Sequence, residues 1–236
     1  FIAARRADRS LDQFYNHDDP DAKSKDRTYT EFKDAAVFAG FDVKTVDNNL
    51  VITANYKLGN LEKAEWIFAP EGTVTLNYSY NFSAVVDLLG VKFDYPEEKV
   101  LSKRWLGGGP YRVWQNRLHG QMYDLWENDY NDPIPGESFT YPEFKGYFAN
   151  VSWMNLKTTE GTISITNETP NSYIGVYEPR DGRDKLLYTL PESGISILNV
   201  IPAVRNKVNA TDLNGPSAQP KWVNGEYSGK IVLKFL

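Results

Sequence analysis

The chain has 236 residues, 41% hydrophobic and 24% charged, so it can bury a substantial core and is neither disordered, collagenous nor coiled-coil in composition. Its formal net charge of −5 argues against wide non-specific contact with nucleic acid or anionic lipid, and no apolar run approaches the ~18 residues of a membrane-spanning helix. Cysteine is absent, which removes disulfides, thiol nucleophiles, thiolate zinc sites and iron–sulfur clusters together, and the two histidines, His17 and His119, cannot make a three-histidine metal site within one chain.

Phe1 to Arg9 carries three arginines and reads as the middle of a longer protein. Asn16 to Arg27 is a polar, highly charged loop with Pro20 inside. Its Asp18, Asp19 and Asp21 lack the spacing and the glycine of a calcium loop, so a solvated acidic loop is the better reading. Thr30 to Ala39 holds the best helix signal, with Phe32, Ala35, Ala36 and Ala39 near one face, though a turn leading into a strand fits equally well. From there the period is two. Leu50, Ile52, Ala54 and Tyr56 repeat at every second position. Val74, Leu76, Tyr78, Tyr80 and Phe82 then alternate without an error against Thr73, Thr75, Asn77, Ser79 and Asn81. Such a run specifies a half-buried antiparallel strand and pins its register. The pattern returns at Tyr147, Ala149, Val151 and Trp153, at Ile163 and Ile165, at Ile195 and Ile197, and at Ile231, Leu233 and Phe235.

Turn signals separate these runs at Asp47 to Asn49, Pro70 to Gly72 and Glu160 to Gly161. Asn128 to Ser138 and Asn206 to Asn224 read as long loops, the places where function usually sits on a β scaffold. The count comes to roughly ten to twelve strands, the density of an all-β sandwich or barrel. With no repeat, low-complexity tract or linker to divide it, residues 1–236 read as one domain.

The segment from Trp105 to Trp126 stands apart. It opens Trp105-Leu106-Gly107-Gly108-Gly109-Pro110-Tyr111-Arg112 and continues through Trp114, Asn116, Arg117 and His119. Consecutive glycines allow a tight backbone approach, and the aromatics and arginines after them can offer ring faces and fork donors. The bland alternative is a bulged loop whose aromatics pack inward. A phosphate-loop reading fails, because no helix pattern and no Gly-Lys-Ser/Thr follows.

Trp105-Leu106-Gly107-Gly108-Gly109-Pro110 with Asn116-Arg117 resembles the Trp-Leu-Gly-x-Gly-Pro … Asp-Arg signature of the C-terminal β-sandwich, or small-chain, domain of glycoside hydrolase family 2 β-galactosidases. Tyr141-Pro142-Glu143-Phe144-Lys145-Gly146 is similar to that family's Tyr-Gly-Pro-x-x-Trp-Arg-Gly segment at comparable spacing, and Arg6, Ala7 and Asp8 match remnants of its Arg-Ala-Pro approach segment. The resemblance covers most of the chain. It implies an all-β fold, a large antiparallel two-sheet supersandwich similar to galactose mutarotase. It also implies a fragment of a larger multidomain enzyme that hydrolyses β-linked glycosides with retention.

In that family the two catalytic glutamates lie in a separate barrel domain, so the resemblance gives this chain no catalytic residue, no metal and no cofactor. Its partners are then a carbohydrate and the catalytic barrel of the parent chain, with neither nucleic acid nor membrane. The family's aromatic platform falls on Phe144, where Phe replaces Trp and loses the indole N–H. Tyr111, Arg112, Trp114 and Arg117 would build the loop that faces the barrel, and an exposed apolar patch is expected around it. For a polysaccharide-degrading parent, the periplasm or the outside of the cell is slightly favoured, although a chain without cysteine leaves the compartment open.

Two other functions stay open on the residues. An aldose 1-epimerase on a similar sandwich would use His119 as acid with Glu143 or Glu137 as base. A carbohydrate-binding module would use exposed aromatics such as Trp114, Trp126 or Trp222. Asn167-Glu168 is similar to the acid/base dipeptide of related barrels, but it sits in Thr166-Asn167-Glu168-Thr169-Pro170 between β runs, where a solvated turn is the better reading.

Overall fold

The computed structural model describes residues 1–5, 30–34, 36–129, 146–176, 191, 193–203 and 218–236. The fold is the expected all-β sandwich of two antiparallel sheets, with a short 3-10 turn at Glu97–Lys99. The strands are β1 (Ile2–Arg5), β2 (Thr30–Glu31), β3 (Phe38–Val46), β4 (Asn49–Tyr56), β5 (Leu61–Phe68), β6 (Thr73–Val86), β7 (Leu88–Phe93) and β8 (Val100–Gly109). They continue as β9 (Met122–Asn128), β10 (Phe148–Ala149), β11 (Trp153–Thr158), β12 (Gly161–Asn167), β13 (Tyr173–Gly175), β14 (Ile195–Val200) and β15 (Lys221–Phe235). A nine-stranded long sheet runs β3-β4-β5-β6-β15-β12-β11-β8-β9, and a six-stranded short sheet runs β10-β13-β14-β7-β1-β2.

The spine is the β6–β15 ladder, in register from Lys221 opposite Val86 to Lys234 opposite Thr73. The alternation in β6 is realised as read: Leu76, Tyr78, Tyr80 and Phe82 are buried against the short sheet, while Thr75, Asn77 and Ser79 face away. Tyr80 stacks on Tyr227 of β15 at 5.2 Å and lies parallel to Tyr78 at 6.4 Å. Gly229, opposite Tyr78, leaves the space that the Tyr78 ring fills; a Cβ there would collide with the phenol.

One side-chain hydrogen bond ties the sheets through the core. Tyr80 donates its hydroxyl to Asn199 Oδ1 at 2.5 Å. Asn199 is the extra residue of a bulge in β14, between Leu198 opposite Gly90 and Val200 opposite Leu89. A bulge re-aims one side chain, and here it delivers an amide to a tyrosine that burial would otherwise leave unsatisfied.

Three expected hairpin turns are in place. Asp47 and Asn48 both have positive φ (48° and 66°), the geometry that Asp and Asn tolerate in a two-residue turn. Ala69–Thr73 and Thr158–Gly161 close the other two.

Elsewhere the structure decides or corrects the reading. Of the two readings of Thr30 to Ala39, the turn leading into a strand holds: Thr30 and Glu31 pair with β1, and Phe38 opens β3. The Asp34 carboxylate accepts backbone N–H bonds from Ala36 (3.0 Å), Asn60 (2.6 Å) and Leu61 (3.0 Å), holding the segment as a turn. Tyr147 to Trp153 is not one strand. The chain leaves the short sheet after Ala149, turns at Asn150 (φ 53°) and enters the long sheet at Trp153. Lys221 to Asn224, read as loop, are strand. In β4, Leu50 lies on the inward row but is 42% exposed, whereas Val51 is 5% exposed. Among the described residues the main core contains nothing from β3 or β4, so the short sheet does not cover that end of the long one.

Burial, with smaller contributions from Tyr78 and Tyr227, pushes the ionisation of Tyr80 far above the ordinary tyrosine range. A group whose folded pKa is raised gives stability that is complete below the unfolded value, about 10, and is lost as pH rises above it. Tyr80→Phe is therefore expected to cost about 1 kcal/mol at pH 7 through the lost bond to Asn199. In urea titrations the gap between variant and wild type should narrow above about pH 10. A gap independent of pH would contradict this assignment.

Candidate functional site: the corner of two interlocked segments

The Trp105–Arg117 segment starts as the end of β8 and finishes on the far side of the short sheet. Trp105 lies on the inner row of the long sheet beside Met154 and Trp126, meets Phe148 edge-on at 5.0 Å, and donates Nε1–H to the Gly108 carbonyl at 3.0 Å. The glycine triplet is a point of close approach. A Cβ on Gly107 would stand 2.8 Å from the Val151 Cα, one on Gly108 2.9 Å from the Ala149 carbonyl, and one on Gly109 2.6 Å from the Trp126 ring. Only glycine lets the crossover at 149–151 and the Trp126 indole press this close to β8. The Gly109–Pro110 peptide is cis.

Past Pro110 the loop is stitched to the segment that follows the second block. Val113 and Tyr147 exchange both backbone bonds, at 2.8 and 2.9 Å. The Arg112 guanidinium sits 4.7 Å from the Phe148 ring centroid, in the range of a cation–π contact. Trp114 meets Tyr147 edge-on at 5.7 Å. Gly146 ends the block, and a Cβ on it would stand 2.6 Å from the Val113 carbonyl and 2.9 Å from Trp114 Nε1. The Gln115 N–H reaches the Pro202 carbonyl at 2.9 Å, and Trp114 and Arg117 close a tight turn.

The expected site residues divide accordingly. Trp114 is 3% exposed and belongs to a second core cluster with Val113, Tyr147, Ile2, Leu88 and Leu198, on the outer face of the short sheet. Its ring is therefore packing, not a surface for a sugar, and an exposed Trp114 is corrected here: the Val113–Tyr147 ladder turns it inward. Arg112 is half-buried, while Tyr111 (59% exposed) and Arg117 face solvent. Phe144, with Tyr141 to Lys145, lies outside the described residues, as do Glu137, Glu143, His17 and the segment of Arg6 to Asp8. Trp126 is half-buried on the glycines, with Nε1–H directed at the Gly107 carbonyl (3.1 Å), and Trp222 on β15 is 69% exposed. Along β9 and the loop before it, Leu118, Met122, Tyr123 and Leu125 are exposed together with Tyr111.

Sequence reasoning missed Phe148, Tyr147 and Gln121, whose side-chain amide donates to the Tyr111 carbonyl. The signal was the alternation of Tyr147, Phe148 and Ala149, which puts Phe148 under Arg112 and Tyr147 against Trp114.

His119 is exposed beside Gly120, whose φ is 94°. Among the described residues no group of three His, Asp or Glu side chains could hold a metal ion. Asn167 closes β12 and Glu168 follows it out of the strand: Asn167 Oδ1 accepts the Thr169 N–H (3.1 Å), and Glu168 pairs with Lys230 at 2.7 Å on the surface. A general acid near neutral pH needs a raised carboxyl. Among the described residues two carboxyls are displaced from the ordinary range, and both run the other way. Hydrogen bonds from Lys99 and then Tyr95 hold Glu160 below the usual range, and in Glu65 bonds from Asn77 and Lys63 outweigh the upward push of burial.

Compared with known protein families and with curated proteins, the chain matches none.

Packing and display can be separated by mutation. Trp114→Ala is expected to cost about 3–5 kcal/mol of folding stability, the price of emptying a buried indole site. Tyr111→Ala should stay within about 0.5 kcal/mol of wild type. Denaturant midpoints measure both, and equal effects would refute the division.

Proposed function

We propose that the chain is the C-terminal β-sandwich of a glycoside hydrolase family 2 enzyme of the β-galactosidase type. In this reading it carries no reacting groups and helps to complete the sugar-binding site of its parent. One observation carries the reading. The two sequence blocks that resemble the family, at 105–117 and 141–146, are separated by more than twenty residues, yet their ends meet at one corner through Val113, Tyr147 and Gly146. Blocks that jointly shape one surface would sit together in this way. The two-sheet antiparallel architecture is in keeping with the galactose-mutarotase-like supersandwich of that family.

The chemistry then divides between domains. A retaining glycosidase needs an acid/base and a nucleophile about 5–5.5 Å apart, and the parent's barrel supplies them. This chain contributes positioned groups. Phe144, the position that the resemblance matches to the family's aromatic platform, would supply the ring face for the sugar. Tyr111 and Arg117 stand on the exposed side of the loop. Arg112, held on Phe148, orients that side, while Trp114 anchors the loop from beneath. The exposed run Leu118, Met122, Tyr123 and Leu125 beside it suits a surface that the barrel covers. Trp222, 69% exposed near the start of β15, is the observation that favours a free-standing carbohydrate-binding module.

The pure chain should not turn over a chromogenic β-galactoside, nor speed anomer interconversion followed by polarimetry. In the longer enzyme, Phe144→Ala should lower kcat/KM about tenfold, the worth of one ring–sugar contact. Turnover by the pure chain would overturn the assignment. Rapid anomer interconversion that disappears in His119→Ala would replace it with an epimerase.

A further inference from the structure

The far end of the long sheet carries a second, independent proposition, which does not rest on the glycosidase reading. β3 is the terminal strand there, and among the described residues no strand lies on its other side. It has nine residues and no proline. The two-residue turn at Asp47–Asn48 makes Val46 and Asn49 a hydrogen-bonded pair. Alternation then aims the N–H and C=O groups of Thr45, Val43 and Phe41 outward, away from β4. An edge of this length with free backbone groups is a template for another strand.

Its side chains choose the partner. On the inward face Phe41 (61% exposed) and Val43 (53%) continue the apolar rows of Ala54 and Ile52, uncovered by the short sheet. On the opposite face stand Asp42 and Lys44, the only charges of the strand. Two antiparallel copies of β3 can satisfy their outward backbone groups in three central registers. Centring on Asp42 opposes two aspartates, and centring on Lys44 opposes two lysines. Centring on Val43 places Asp42 opposite Lys44 of the partner subunit, and by symmetry does so twice. Opposite charges directly across a ladder stabilise it and like charges destabilise it. The same register sets Phe41 opposite the partner subunit's Thr45, and makes about six main-chain bonds.

We propose that this edge pairs with β3 of a second copy of the chain, antiparallel and centred on Val43, joining two long sheets across a two-fold axis. The interface is isologous, as a two-fold axis requires.

The test is sedimentation equilibrium across a concentration series. Wild type should move from 26.9 kDa toward twice that mass. Asp42→Lys and Lys44→Asp should each raise the dimer dissociation constant about tenfold or more, because each variant faces itself with like charges. Mixed one to one, the two variants should recover the dimer, since both lysines of one edge then face aspartates of the other. Asp42 also accepts a bond from Asn55 (2.8 Å), so a single variant could fail through local misfolding. The mixture removes that ambiguity: a misfolded edge cannot be rescued by its complement. A wild type that stays monomeric, a dimer indifferent to Asp42→Lys, or a mixture that does not associate would each overturn the proposal.

Discussion

The close approach at Gly107, Gly108 and Gly109 is the constraint on which the corner depends. Three missing Cβ atoms let the 149–151 crossover and the Trp126 indole lie against β8. That contact packs the passage from β10 of the short sheet to β11 of the long one against β8. Tyr147 is then within reach of Val113, and the pair exchanges two backbone bonds. Those bonds in turn lay Trp114 onto the outer face of the short sheet, where it joins a buried cluster. A loop that would otherwise be free is fastened on both its edges. What remains turned to solvent is a small set of groups at fixed positions, led by Tyr111 and Arg117.

The rigidity behind that corner comes from the middle of the sandwich. The β6–β15 ladder is long, and its inner face is a stack of tyrosines and apolar side chains. Interiors of this kind are close-packed, so the sheets cannot slide independently. The Tyr80–Asn199 bond adds direction to the packing, because it is satisfied in only one relative placement of the sheets. The same architecture leaves one end of the long sheet uncovered. The corner and the bare edge at β3 therefore stand at opposite ends of one nine-stranded sheet.

The alternation of β6 was legible because ten consecutive residues obey it and its outer face is polar. The turn at Asp47–Asn48 was legible because those residue types tolerate positive φ. What the sequence hid has physical causes too. Period two continues from Tyr147 to Trp153 although the chain changes sheets, since alternation reports which side is buried and not which sheet buries it. Asn150, a residue tolerant of positive φ, was the one mark of the break. In β15, Gly225 and Gly229 interrupt the pattern that a strand should display, and nearby prolines made its first residues read as loop. Lys103 is buried on the inner row with Leu156 and Asn128, a placement that residue type argues against. Trp114 was ambiguous for a deeper reason: a ring suited to a sugar face is equally suited to a core, and only the neighbours decide. Of the candidate site, the glycines and the register of the loop were readable; the inward turn of Trp114 and the role of Phe148 were not.

The central claim is that the loop is locked to the crossover, and amide hydrogen exchange tests it most directly. The Val113 and Tyr147 amides should exchange as slowly as those of Tyr78 and Tyr227 in the spine, opening only with global unfolding. Exchange at Val113 and Tyr147 at the rate of an open surface loop, with the spine still protected, would contradict the account.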